Sequence, residues 1–306
     1  MSMRIGFIGL GQMGFPMFLN LLGKRLDTNT EMVGYDKSSD HMAGLRRDWP
    51  DAAPYLAQDE AALADLDVII TMLPNGAAVR ESLLGSADNP ALVDRLASNA
   101  TVIDMSSSSP MDTRALADIL AERNVQLLDA PVSGSVPKAR EGTLAIMVGG
   151  ATDIVERMRP IFMAMGSKLI PTGAVGSAHG MKALNNYVYA AGLLAMSEAL
   201  LLGKALDLDL SVLIDVMNAS SGRNVATETK AKQHMLHGGD FKAGFGLRLM
   251  AKDLGIAASL REHAGFNPPQ LDLCLSLWQQ ACEQLPPEAD NTEIYRYMAA
   301  RLGAYL

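Results

Sequence analysis

Short, nearly continuous apolar runs alternate with longer stretches of helical periodicity over residues 4 to about 165. The runs are four or five residues long and lie at 4–8, 31–35, 68–72, 101–104, 126–129 and 145–148. Runs of this kind are typical of strands that are buried on both faces of a parallel sheet. Because helical stretches separate them, the pattern predicts a doubly wound α/β domain with a mostly parallel sheet.

The pattern changes after Gly176. Residues 179–207 read as one long helix that is apolar nearly all round its middle, which is typical of a helix buried between domains or subunits. The rest of the chain predicts helices and turns, without a strand. We therefore expect two domains, residues 1–173 and an all-helical part over residues 174–306, joined by the long helix.

Charge and composition narrow the possible partners. The net charge of −8 and the lack of a Lys/Arg cluster argue against nucleic-acid binding. The uncharged stretch at residues 183–197 is too short for a membrane span, and the first strand leaves no room for a signal peptide. The two cysteines and the scattered histidines lack the spacing of a metal site. A cytoplasmic protein without a metal is expected.

A glycine pattern follows the first strand and opens a helix: Gly9-Leu10-Gly11-Gln12-Met13-Gly14. In this context Gly9 permits a tight turn, Gly11 lets the backbone approach a pyrophosphate, and Gly14 allows close packing of helix and strand. The helix start then offers free N–H groups to the phosphates. The segment predicts a dinucleotide site in a Rossmann domain, whereas a purely structural turn is the alternative.

Asp36 ends the second strand, 22 residues after Gly14. An acidic residue at this place accepts hydrogen bonds from the adenosine ribose, and its charge would repel a ribose phosphate. NAD is therefore favoured over NADP. Lys37 keeps NADP open, since its ammonium could reach a phosphate beside Asp36.

Further cofactor contacts are expected where later strands end. Leu73 and Pro74 follow the strand at 68–72, and Ser107 follows the strand at 101–104 together with Ser106. Ligands of open α/β sheets bind at this edge. Turn serines held for structural reasons are the alternative, and Ser109 is predicted to cap a helix that starts at Pro110.

Four separated stretches, in order, resemble the β-hydroxyacid dehydrogenases, the family of 3-hydroxyisobutyrate dehydrogenase and tartronate semialdehyde reductase. They span nearly the whole chain, namely residues 9–17 (Gly-Leu-Gly-Gln-Met-Gly-Phe-Pro-Met), 129–134 (Asp-Ala-Pro-Val-Ser-Gly), 182–186 (Lys-Ala-Leu-Asn-Asn), and Gly244-Phe245 leading to Lys252-Asp253-Leu254-Gly255. The resemblance implies an NAD(P)-binding Rossmann domain, a helical domain for substrate binding and oligomerisation, an active site in the cleft between them, and a homodimer or homotetramer.

The same resemblance assigns roles to single residues. Lys182 would be the general acid/base, and Asn186, one helical turn further on, would bind substrate and hold the lysine. Ser133 and the Gly134 N–H would bind the substrate carboxylate. Asn185 is a weaker candidate for the substrate site.

The fourth stretch of the resemblance contains two further candidate residues. Lys252 would lie near the cofactor or the substrate, and Phe245 near the nicotinamide, with core packing as its alternative. Asp253 is expected to pair with a neighbour.

Two departures concern the pocket. Ser135 and Ala178 stand where the family usually has glycine, and either change could reshape the site.

The function implied is an NAD(P)-dependent oxidoreductase that interconverts a small 3-hydroxy acid and its semialdehyde or oxo acid. A cofactor-binding regulator without catalysis, or a reductase of an imine or another oxo acid, is the alternative. Non-catalytic regulators and imine reductases are expected to lose the lysine that this chain retains as Lys182.

Overall fold

The computed structural model describes residues 3–24, 30–85 and 91–304. The chain divides into two compact units, Met1–Lys182 and Ala183–Leu306. The division falls inside one long helix, nine residues beyond the boundary expected from the sequence. That boundary at residue 173 stays a prediction.

The first unit contains an eight-stranded sheet. All six strands predicted from the apolar runs form, with shifts of one residue at some ends. The strands are β1 (Arg4–Ile8), β2 (Glu31–Tyr35), β3 (Val68–Thr71), β4 (Thr101–Asp104), β5 (Gln126–Asp129), β6 (Val132–Ser133), β7 (Leu144–Gly149) and β8 (Gly166–Gly173).

The sheet is mostly parallel, as the sequence predicts. Strands β2, β1, β3, β4 and β5 are neighbours in that order and run parallel, whereas β7 is antiparallel to β5 and β6 and parallel to β8. The sequence missed β6 and β8. Strand β6 has two residues, and β8 pairs with β7 alone and contains Lys168 and Pro171, so an apolar run is absent.

Helices cover both faces of the sheet, because alternate residues of each central strand point to opposite faces. Two separate apolar clusters result, one around Phe7, Ile70 and Ile103, the other around Ile69, Val102 and Leu127. The helices are α1 (Gly14–Gly23), α2 (Ser39–Asp48), α3 (Gly76–Leu84), α4 (Pro110–Ala121), α5 (Val136–Glu141) and α6 (Thr152–Met165), with 3-10 turns at Ala53–Tyr55, Glu60–Leu63 and Leu92–Arg95. The predicted cap of α4 is confirmed, since Ser109 accepts from the N–H of Asp112.

Over its described residues, 183–304, the second unit consists of helices and connecting loops, with one isolated bridge between Gly246 and Asp290, which confirms the predicted helical class. Its core is built around Trp278, Tyr297 and Leu254. The helices are α7 (Ser177–Ala205, which begins in the first unit), α8 (Leu210–Ala219), α9 (Val225–Thr229), α10 (Leu247–Ala264), α11 (Pro269–Gln284) and α12 (Ile294–Leu302), with a π-helical turn at Ala231–Met235 and a 3-10 turn at Asn291–Glu293.

Helix α7 is the predicted long apolar helix. By length and composition alone it could cross a membrane, and 44% of its apolar 18-residue window is buried. Val188 nevertheless exposes 69% of its surface. Composition therefore does not decide whether the helix crosses a membrane, and the absence of a membrane partner stays a prediction.

Asp290 organises the loop that precedes α10. Its Oδ2 accepts the N–H groups of Gly244 (2.8 Å) and Phe245 (3.1 Å), and its Oδ1 accepts the N–H and the hydroxyl of Thr292 at 3.0 and 2.7 Å. Four donors on a buried carboxylate fix two segments that are distant in sequence. The Gly244-Phe245 stretch is thereby held by the C-terminal part of the chain.

Replacing Asp290 by Ala should lower the free energy of unfolding by roughly 2–4 kcal/mol, because four donors lose their acceptor. Urea unfolding followed by circular dichroism measures this. Glu288→Ala, two residues earlier and exposed, is the matched control and should change stability by less than about 0.5 kcal/mol. Equal losses in both variants would contradict the assigned role of Asp290.

Candidate active site

The glycine turn follows β1 directly and leads into α1. Gly9 has φ +96°, and a Cβ there would lie 2.3 Å from the Met72 carbonyl oxygen. A Cβ on Gly14 would lie 1.9 Å from the Gly9 carbonyl oxygen. At Gly11, by contrast, a Cβ would meet no atom within 4 Å. Two glycines are thus required by the fold, whereas the space beside the third is open, and its approach to a pyrophosphate stays a prediction.

Asp36 holds this turn in place. Its Oδ2 accepts the N–H of Leu10 at 3.0 Å, and its Oδ1 accepts the N–H of Ser38 at 3.0 Å. The Leu10 carbonyl oxygen lies 2.8 Å from His41 Nε2, and the Leu10 side chain is buried. Leu10 therefore has both backbone groups engaged within the protein. Sequence reasoning did not find His41, since a single histidine on an exposed helix gives no signal.

Three other residues predicted for the cofactor flank the turn. Gln12 and Lys37 are exposed, and Met13 is half-buried. Their cofactor contacts stay predictions.

The ends of β3 and β4 are joined by a serine. Ser106 is buried, its Oγ accepts the N–H of Leu73 at 2.9 Å, and its own N–H donates to Asp104 Oδ1 at 3.0 Å. Ser106 thus follows the structural alternative for turn serines. Ser107 is half-buried and Pro74 is exposed at the same edge.

The predicted substrate loop begins in β6. Ser133 pairs with Ala145 of β7, and Gly134 has φ +138°. A Cβ on Gly134 would lie 2.9 Å from the Leu144 side chain and 3.1 Å from that of Lys138. Glycine is therefore needed at 134 for both conformation and space.

Neither departure from the family's glycines strains the backbone. Ser135 precedes α5 with φ −85° and ψ 179°, an extended conformation that any residue adopts. Ala178 lies buried inside α7, where alanine is the most favourable residue.

The side-chain amide of Asn20 connects α5 to α1. Asn20 of α1 donates through Nδ2 to the carbonyl oxygens of Ala139 (2.7 Å) and Pro16 (2.9 Å). The C-terminal end of α5 is thereby fixed to α1. No local pattern predicts this contact, because the partners are 119 residues apart.

Lys182 and Asn186 lie four residues apart on α7 and therefore on one face of it. They are only 9% and 6% exposed. Asn186 donates through Nδ2 to Asp253 Oδ2 at 2.6 Å and accepts at Oδ1 from Asn185 Nδ2 at 3.2 Å. The expected pairing of Asp253 with a neighbour is confirmed, and its partner is the predicted substrate asparagine.

The remaining predicted residues lie in the second unit. Lys252 Nζ is 3.5 Å from Asp253 Oδ1. Phe245 is half-buried and packs against the hydrophobic core of that unit. This agrees with core packing, the alternative to a position near the nicotinamide. In the ranges that the structure describes, no three His, Cys, Asp or Glu side chains are grouped so as to hold a metal ion.

Comparisons with known proteins cover the whole chain. The family model of the NAD binding domain of 6-phosphogluconate dehydrogenase matches residues 4–174. The family model of the NAD-binding part of NADP-dependent 3-hydroxyisobutyrate dehydrogenase matches residues 176–298.

Individual relatives agree with both matches. The chain is 35% identical to an NAD-dependent L-serine dehydrogenase of Pseudomonas aeruginosa, covering 96% of this chain and 97% of that protein. It is 38% identical to a 3-sulfolactaldehyde reductase of Escherichia coli, over 83% and 81%. A solved Mycobacterium tuberculosis 3-hydroxyisobutyrate dehydrogenase with L-serine has a TM-score of 0.85 and 30% identity, over 97% of this chain and 99% of that one.

Replacing Asp36 by Ala should weaken NAD binding about tenfold or more, because charge-assisted hydrogen bonds to the ribose are lost and the Leu10 amide loses its acceptor. NADP binding should weaken less, since a repulsive charge is removed as well. Fluorescence titration with both reduced cofactors measures the ratio of affinities. Asp40→Ala, on the exposed first turn of α2, is the control, and an unchanged ratio in Asp36→Ala would refute the assignment.

Proposed function

The chain belongs to the β-hydroxyacid dehydrogenase family of NAD(P)-dependent oxidoreductases, and we propose that it interconverts a small 3-hydroxy acid and its semialdehyde or oxo acid. The observation that carries this proposal is the burial of Lys182 and Asn186 on one face of α7. Charged and amide side chains are rarely buried, so their burial at the positions of the family's catalytic stretch supports an active site on this face.

Lys182 acts as the general acid/base in this proposal. A bound nicotinamide cofactor would supply the hydride acceptor for oxidation of the carbinol carbon and the hydride donor for the reduction. Lys182 Nζ takes the proton of the substrate hydroxyl in the first direction and donates it to the carbonyl oxygen in the second. A positioned side chain in this role accelerates a reaction by about 10²–10⁴-fold.

The substrate carboxylate is assigned to the loop after β6. Ser133 offers a hydroxyl, and Gly134 offers a backbone N–H without a side chain to cover it. Donors of this kind suit an anionic oxygen. The positive φ of Gly134 supports the assignment, because it fixes the direction of the following peptide.

Asn186 orients the reacting group. Its Nδ2 carries two hydrogens, and one of them goes to Asp253. We assign the other to the substrate oxygen beside Lys182. Asn185 contributes by holding Asn186 Oδ1, which is a more indirect role than the substrate contact expected from the sequence.

The substrate class follows from the loop chemistry and from the relatives. Their names describe action on L-serine, 3-sulfolactaldehyde and 3-hydroxyisobutyrate. These are three-carbon chains, one of them methyl-branched, that carry an acidic group and a hydroxyl or aldehyde. We propose that this enzyme also takes a short acid of that kind, with NAD as the favoured cofactor because of Asp36.

The assembly of the enzyme is inferred from apolar side chains on its surface. Large apolar side chains are exposed at the end of α7 and on α8, including Leu202, Leu206, Val212 and Val216. Exposed apolar patches mark interaction surfaces. This supports a homodimer or homotetramer, and the net charge of −8 supports a protein that binds no nucleic acid. We keep the cytoplasmic location as part of the proposal.

Lys182→Ala should lower kcat about 10²–10⁴-fold while cofactor affinity changes little, because only proton transfer is lost. Nicotinamide absorbance with a panel of short hydroxy and semialdehyde acids measures turnover. Lys204→Ala, exposed in the last turn of the same helix, is the matched control and should retain activity. A wild type that binds cofactor and turns over no member of the panel would favour the regulator alternative instead.

Asp253→Asn should lower kcat/KM about 10- to 100-fold, because it removes the charge that orients the Asn186 amide. Asn185→Ala removes a neutral hydrogen bond at an exposed residue and should cost only about two- to fivefold. The same absorbance assay compares them. If Asn185→Ala is the more damaging change, Asp253 does not orient Asn186 as proposed.

A further inference from the structure

His179 lies in the first turn of α7, three residues before Lys182, and is completely buried. Its backbone N–H donates to Asp129 Oδ2 at 2.9 Å, and the N–H of Gly176 donates to Asp129 Oδ1 at 2.7 Å. Asp129 ends β5 and precedes Ser133 by four residues. One carboxylate therefore joins the start of the substrate loop to the start of the helix that carries Lys182.

The imidazole ring of His179 reaches two other segments. Nε2 is 3.1 Å from the carbonyl oxygen of Ser106, in the loop after β4, and Nδ1 is 2.8 Å from Thr113 Oγ1 in α4. A carbonyl oxygen can only accept, so Nε2 carries a hydrogen and donates it. The ring thus holds α7 at a fixed distance from the loop that leads to Ser107.

The cluster around the ring is fully buried and polar. Asp104 Oδ2 lies 3.8 Å from Nε2, and Asp129 Oδ2 lies 4.0 Å from Nδ1. Asp104 itself accepts from Thr71 Oγ1 (2.9 Å), from Ser108 Oγ (3.0 Å) and from the Ser106 N–H. Buried networks in which each member is paired are rigid, because any displacement leaves a polar atom without a partner.

We propose that His179 is a positioning residue that sets Lys182 relative to the cofactor-side loop at Ser106–Ser107. This rests on the proposed function, in which Lys182 transfers the proton. A misplacement of about 1 Å can cost 10²-fold in rate. The hydrogen bond of the ring to the Ser106 carbonyl sets the distance between α7 and the loop after β4.

The side chain is separable from the fold of this region. Its bonds to Ser106 and Thr113 belong to the ring, whereas the capping of α7 by Asp129 uses backbone N–H groups that any residue at 179 retains. Alanine at 179 therefore keeps α7 attached to β5 and removes only the hydrogen bonds of the ring to Ser106 and Thr113.

The experiment compares three variants with wild type on the best substrate of the panel. His179→Ala should lower kcat about 10- to 100-fold, with KM and cofactor affinity within about threefold. His179→Gln should recover part of that loss, because its amide N–H can reach the Ser106 carbonyl. Thr113→Val keeps the shape of Thr113, removes the partner of Nδ1, and should give an intermediate loss. His263→Ala, exposed on α10, is the matched control.

Hydrogen–deuterium exchange tests the same tie without turnover. Amides of residues 105–109 and of the first turns of α7 should exchange faster in His179→Ala than in wild type, with cofactor bound in both. Unchanged exchange in these segments overturns the proposal. So does a His179→Ala variant with a lower Tm and the kcat of wild type per cofactor-binding site.

The two proposals fail in different ways. A wild type without turnover contradicts the proposed function, and the exchange measurement still decides whether His179 ties α7 to the β4 loop. Wild-type turnover with an undiminished His179→Ala leaves the function standing and removes His179 from it.

Discussion

The carboxylate of Asp129 imposes the constraint on which the site depends. It is completely buried, and a buried charge is tolerated only where hydrogen bonds compensate it. Its two acceptors are used by backbone N–H groups of Gly176 and His179. The chain must therefore return to the end of β5 before α7 can begin. Gly149 reflects the same demand, since a Cβ there would lie 2.5 Å from Asp129 Oδ1. Asp129 thereby fixes the start of the loop that contains Ser133 and the start of the helix that contains Lys182.

The other loops at this edge of the sheet are held by the same kind of bond. A polar side chain at the end of one strand binds the backbone that follows its neighbour. Asp36 after β2 holds Leu10 after β1, and Ser106 after β4 holds Leu73 after β3. Each loop is thereby fixed before any ligand binds, which reduces the entropic cost of binding. The second unit uses carboxylates in the same way, with Asp253 on Asn186 and Asp290 on the loop before α10.

The comparison between sequence and structure is clearest for the strands. The strands at the centre of the sheet are buried on both faces, so apolar runs in the sequence predicted them. The sequence did not predict β8, because this strand lies at an edge and contains Lys168 and Pro171. It did not predict β6, because two residues form no pattern. The glycine turn could be assigned because Gly9 and Gly14 have no room for a side chain, which restricts the residue type directly. The roles of the site residues and the boundary at residue 173 remain predictions.

The sequence by itself determined the α/β and helical classes, the glycine turn after β1, and the position of Lys182 and Asn186 on one face of a helix. These follow from periodicity and from spacings within one element, which the chain carries locally. Only the tertiary structure decided the partners: Asp129 with Gly176 and His179, 47 and 50 residues away, and Asp253 with Asn186, 67 residues away. A carboxylate can satisfy its hydrogen bonds with any donor that folding brings near. Its partner is therefore set by the path of the whole backbone, and no local spacing encodes it.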